Sequence, residues 1–204
     1  MTDYEAILFD FDGVLADTEP LHFESWAEAL RPLGISLDWR TFEKHCIGIP
    51  DRVVAEFFRG LVHPPVEFEA VWARHAVKRQ LFLAKLRQKP FFLPEVPALI
   101  KSFTSYKLGV VSASSRIEVE AGLNAAGILH CFEVVIGTED VERTKPDPEP
   151  YLLAMQRLGA RKALAVEDSE AGVASATAAG LDVLRVPRPG DMPDLVKRRL
   201  DDFR

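Results

Sequence analysis

Five short apolar runs punctuate this chain: Ala6-Ile7-Leu8-Phe9, Leu108-Gly109-Val110-Val111, Val134-Val135-Ile136, Ala163-Leu164-Ala165-Val166 and Val183-Leu184-Arg185-Val186. None alternates cleanly between apolar and polar residues, so each reads as a strand buried on both faces. Stretches of helical pattern separate the last four, over residues 115–126, 148–158 and 171–179. Strand and helix in alternation imply a parallel sheet, because the chain must cross back before the next strand can run the same way. The expected class is α/β: a doubly wound, Rossmann-like parallel sheet with helices on both sides.

The rhythm breaks between the first run and the second. Residues 16–90 read as helices only, an all-helical insertion in a core made of residues 1–15 and 91–204. Asp17 or Thr18 can cap a helix running through Trp26 and Leu30, with Pro20 tolerated in its first turn. Pro32 and Gly34 end it. Further helices are expected over Trp39–Cys46 and Arg52–Leu61, and the Pro64-Pro65 pair breaks the chain. One long helix is then expected from Val66 to Arg87, with Val66, Ala70, Ala73, Val77, Leu81 and Ala84 on a single apolar face.

The chain of 204 residues is long enough for one good domain plus a small inserted one. Its formal net charge is -6 and it has no basic stripe, which argues against nucleic acid as a partner. No window approaches a membrane span. Acidic residues stand near the N-terminus, where a secretory signal would carry bases. Cys46 and Cys131 lack metal-ligand spacing and read as free thiols of a reducing compartment. The expectation is a cytoplasmic monomer.

In a doubly wound sheet, ligands bind beyond the carboxyl ends of the strands. Asp10 and Asp12 follow the first strand. Ser112, Ala113 and Ser114 follow the second, Lys145 lies in the connection after the third, and Glu167 and Asp168 follow the fourth. Four carboxylates at one edge would repel one another and raise each other's pKa values, so the cluster calls for a cation. An all-oxygen donor set favours a hard metal, and Mg2+ is the expected cofactor. A lysine and a hydroxyl beside such a site suit a phosphoryl group. One aspartate can attack phosphorus, and the other can move the proton. Ser114 reads as a helix cap, Asp147 as a turn and cap residue, and Gly172 and Gly180 as packing and helix-end residues.

These residues stand as Asp10-Phe11-Asp12-Gly13-Val14 with Asp17-Thr18, then Ser112-Ala113-Ser114, Lys145-Pro146-Asp147, and Glu167-Asp168-Ser169 with Gly172. In that order the chain resembles the haloacid dehalogenase superfamily, in its beta-phosphoglucomutase-like and phosphatase branch with a helical cap. The resemblance spans nearly the whole chain. It implies Asp10 as nucleophile and Asp12 as general acid and base. It implies Mg2+ held by Asp10, the Asp12 backbone carbonyl, Glu167 and Asp168, and phosphate bound by Ser112, Ala113 and Lys145. It also implies that the inserted helices are a cap closing over a small phosphorylated metabolite.

The insertion would choose the substrate. His22 and Trp26 stand four residues apart on one helix face, either as core and neighbour or as a pair facing the substrate. Arg52 is a candidate for a distal phosphate or hydroxyl. The beta-phosphoglucomutase pattern has its arginine one position earlier, where this chain has Asp51. The expected activity is therefore hydrolysis of a phosphate monoester, with phosphomutase as the alternative. A phospho-receiver signalling module also uses acids, Mg2+, a hydroxyl and a lysine. It has no inserted helices, and its phosphorylated aspartate lies on a middle strand.

Overall fold

The computed structural model describes residues 4–88 and 91–201. The chain divides into two compact units, Met1–Asp17 with Pro90–Arg204 and Thr18–Lys89.

The first unit is built on a five-stranded sheet of order β3-β2-β1-β4-β5, with every pairing parallel. Its strands are β1 (Ala6–Phe9), β2 (Lys107–Val111), β3 (Val134–Ile136), β4 (Ala163–Glu167) and β5 (Asp182–Arg185). β1 is central, and all four of its residues are completely buried. Ala6 and Leu8 join one apolar cluster, together with Tyr151, Ala154, Leu158 and Ala176. Phe9 packs its ring against Phe103 and Phe132. Burial on both faces explains why the strand sequences are continuously apolar. The edge strand β5 departs from that expectation, with Asp182 and Arg185 exposed.

The helices between the later strands are α7 (Arg116–Ala125), α8 (Glu149–Leu158) and α9 (Glu170–Ala178). Two further helices, α6 (Glu95–Ser102) and α10 (Met192–Asp201), were not foreseen. They pack on each other. α6 buries Val96, Leu99 and Ile100, and α10 buries Met192, Val196 and Leu200, both at helical spacing.

The second unit contains α1 (Glu19–Leu30), α2 (Trp39–His45), α3 (Asp51–Arg59), α4 (Phe68–Trp72) and α5 (His75–Leu86). Its core gathers Trp26, Leu30, Phe42, Val54, Phe58 and Val71. The single helix expected over Val66–Arg87 is in fact α4 and α5, broken at Ala73 and Arg74. Arg74 turns its side chain to donate to the Ala29 carbonyl at 2.7 Å. The buried positions are Val71, Lys78, Phe82 and Leu86, while Ala73 and Ala84 are exposed. Bulk decides the buried face: Phe82 and Leu86 remove more area from water than alanines can. Among the described residues, no helix is long and apolar enough to cross a membrane.

Candidate active site

Parallel register brings the site together. Phe9 stands opposite Val110 on one side and Val166 on the other. The next residue of each strand is therefore level with its neighbours: Asp10 beside Val111 and Glu167. The Asp10 amide still donates to the Val166 carbonyl at 2.9 Å, so the ladder carries Asp10 to the edge of the sheet. A tight turn follows. Leu15 and Ala16 both donate to the Phe11 carbonyl, and Gly13 donates to that of Ala16 at 2.9 Å. Gly13 has φ of 76°, which suits glycine, and it faces Asp168 too closely for any side chain.

Asp10 and Lys145 are both buried. The Lys145 ammonium donates to the Val111 carbonyl at 2.8 Å, lies 3.2 Å from Asp10 Oδ1 and donates to Glu167 Oε1. An ammonium has three donors, and these partners use all of them. Glu167 is fully buried, and its Oε1 also accepts from the Tyr151 hydroxyl at 2.6 Å. Asp147, in the same connection, accepts from the Glu149 amide at the start of α8.

Asp12 is turned elsewhere. Its Oδ2 accepts from Ser114 Oγ at 2.7 Å and, more weakly, from Ser112 Oγ at 3.4 Å. This corrects the reading of Ser114 as a helix cap. Ser115 is the residue that precedes α7, and the Arg116 amide donates to the Glu139 carboxylate. Ser112, Ala113 and Ser114 all follow the end of β2, and the two serines reach Asp12.

The charges are strained. Burial, then the charge of Glu167, pushes Asp10 well above the carboxylate range despite Lys145. Burial and Glu167 push Asp168 up to about 6. Burial pulls Lys145 down, but Asp10 and Glu167 outweigh it and raise its pKa. Asp10, Glu167 and Asp168 each present an oxygen within 4.8 Å of the others. Three hard oxygen donors, crowded and compensated by one ammonium, fit a divalent cation of the Mg2+ kind.

The helical unit holds a second polar group. Asp51 accepts from the Trp26 indole at 2.9 Å, lies 3.1 Å from His75 Nε2 and accepts from Lys78 at 2.8 Å. Burial would raise the Asp51 pKa, but Lys78, His75 and His22 outweigh it and drive it well below the carboxylate range. Trp26 is interior, at 1% exposure, and His22 is buried with its ring stacked on Phe82. Arg52 sets its guanidinium over the rings of Phe68 and Trp72, at 5.1 and 5.4 Å. Sequence reasoning missed Lys78, which reads as a solvated helix lysine, and Tyr151, which reads as core.

The family model described as haloacid dehalogenase-like hydrolase matches residues 7–186. A phosphorylated carbohydrates phosphatase of Thermotoga maritima is 30% identical over 87% of this chain and 82% of its own length. A fructose-1-phosphate phosphatase of Escherichia coli is 30% identical over 90% of this chain and 96% of its own. Among solved structures, CbbY from Rhodobacter sphaeroides in complex with phosphate superposes with a TM-score of 0.79 and 30% identity. That match covers 88% of this chain and 84% of CbbY. By its sheet, by the residues at the end of β1, β2 and β4 and by these likenesses, the chain belongs to the haloacid dehalogenase-like hydrolases.

Proposed function

We propose that this hydrolase is a Mg2+-dependent phosphatase of a small phosphorylated sugar, working through an aspartyl-phosphate on Asp10. The observation that carries the reading is the meeting of the Asp10, Glu167 and Asp168 carboxylates, within 4.8 Å of one another, with Lys145 seated on Asp10. The names of the phosphatase relatives support the substrate class.

Asp10, Glu167 and Asp168, with the Asp12 backbone carbonyl, are the residues to hold Mg2+, which when bound offsets the charge of the carboxylates and of the phosphoryl oxygens. Lys145, exchanging one of its present acceptors for a phosphoryl oxygen, and Ser112, with the backbone at Ala113, bind the phosphoryl group. An Asp10 oxygen attacks phosphorus, and the bond from phosphorus to the sugar oxygen breaks. Asp12 gives its proton to that oxygen, and the alcohol leaves. Water then attacks the phosphorus of the aspartyl-phosphate and loses a proton to Asp12. Inorganic phosphate departs and Asp10 is restored. The helical unit selects the sugar, with Arg52 the candidate contact on it; Trp26 and His22 are buried and act as core and neighbour.

A phosphomutase would hand the phosphoryl group back to a sugar. The carboxylate of Asp51, where the mutase pattern has an arginine, favours hydrolysis. The test is a screen of phosphorylated sugars with Mg2+ present and then chelated. Metal-dependent phosphate release is expected. Isomerised sugar phosphate without free phosphate, from beta-glucose 1-phosphate with a trace of its bisphosphate, would overturn it.

A further inference from the structure

Tyr151 carries a hydroxyl into a place where a phenylalanine would pack as well. Its side chain is wholly buried in the cluster with Leu8, Val111, Ala154 and Leu158. A buried hydroxyl costs free energy unless it is bonded, and this one donates to Glu167 Oε1 at 2.6 Å.

Glu167 is divided between two tasks. Oε1 accepts from both Lys145 and Tyr151, which fills its two lone pairs. Oε2 accepts a longer bond, 3.3 Å, from Ser169. The carboxylate lies against the first turn of α9, where a Cβ on Gly172 would fall 2.0 Å from its carbon. Tyr151 also sets its ring 5.5 Å from the Lys145 ammonium. One side chain thus touches the lysine and fixes the lysine's carboxylate partner.

We propose that Tyr151 is a positioning residue, whose hydroxyl holds Glu167 so that one oxygen serves Lys145 and the other stays turned to the metal. Without that hydroxyl, Glu167 swings both oxygens onto Lys145. It then withdraws from the acidic group and draws the ammonium away from Asp10. The inference rests on the metal reading given under Proposed function.

The test is Tyr151→Phe, which keeps the ring and deletes the hydroxyl. Mg2+ affinity is measured by calorimetry on protein without substrate, alongside melting of the metal-free protein and hydrolysis of fructose 1-phosphate. Mg2+ binding is expected to weaken about tenfold, as for other residues that orient metal ligands, with kcat falling and the metal-free melt little changed. Mg2+ affinity within about twofold of wild type would overturn the proposal, whatever happens to the melt. If Tyr151→Phe does not fold, Gly172→Ala decides, because its methyl displaces the same carboxylate. Unchanged Mg2+ affinity there overturns the proposal equally. A wild-type protein that binds Mg2+ but hydrolyses no phosphate ester overturns the functional reading and leaves the Tyr151→Phe titration to judge this one. A wild type that binds no Mg2+ overturns both.

Discussion

Gly13 and Asp168 approach so closely that a methyl group on the first would lie 2.0 Å from a carboxylate oxygen of the second. Gly13 also has φ of 76°, where a side chain costs about 1–2 kcal/mol. Gly13→Ala should therefore displace Asp168 from the acidic group. Mg2+ affinity is expected to fall at least about tenfold, with hydrolysis falling alongside. Wild-type Mg2+ affinity in calorimetry would mean that the turn has another place to put the methyl.

Ser114 holds Asp12 by a 2.7 Å bond, and neither residue belongs to the acidic group of three. Ser114→Ala removes the tether on the Asp12 side chain and leaves the three carboxylates of the acidic group and the Asp12 backbone in place. The expected result is a loss of roughly tenfold to a hundredfold in kcat, the scale of a misplaced reacting group. Mg2+ affinity should not move. A matching loss of Mg2+ affinity would contradict the separation of roles between Asp10 and Asp12.

Asp168 is raised from 3.8 to about 6, and Asp10 moves in the same direction. A carboxyl with a raised folded-state pKa binds its proton more tightly in the folded chain than in the unfolded one. Its contribution to the stability of metal-free protein therefore declines as pH rises toward about 6, and levels off above. Mg2+ competes with those protons. The rise in melting temperature on adding Mg2+ should be large above about pH 6 and shrink below it. A Mg2+ shift independent of pH across that range would count against the carboxylates as ligands.

In the helical unit, Asp51 is the shared acceptor of Trp26, His75 and Lys78. Asp51→Ala removes the acceptor from three donors at once, beside an ammonium that is fully buried. The expected loss is about 3 kcal/mol in urea denaturation, the cost of breaking a buried ion pair from one side. Asp51→Asn keeps the shape and a carbonyl acceptor and should lose less. A loss below about 1 kcal/mol for Asp51→Ala would place the pair among surface bridges instead.

The sheet was legible because strands buried on both faces are apolar along their length, as β1 and the first four residues of β4 are. The acidic site was legible for the same reason, since carboxylates at the end of such a strand contradict its burial. The break between α4 and α5 was not. Ala73 and Ala84 count as apolar in a spacing argument but are too small to fix a face, and Lys78 was drawn inside by Asp51, 27 residues earlier. Ser114 was misread and Tyr151 missed because their hydroxyl partners lie far away, Asp12 at 102 residues and Glu167 on another strand end. α6 and α10 escaped notice because Pro97 and Pro193 and the charged run at the end of α10 obscure a short apolar spacing.

The central claim is that Asp10 carries the phosphoryl group. It is tested by quenching the protein in acid during incubation with Mg2+ and whichever sugar phosphate the substrate screen finds hydrolysed, then weighing the peptide that contains Asp10. The account predicts the added mass of one phosphoryl group on Asp10 of the wild type, and neither that adduct nor phosphate release from Asp10→Asn. Steady phosphate release by Asp10→Asn, or turnover with the phosphoryl group on another residue, would contradict it.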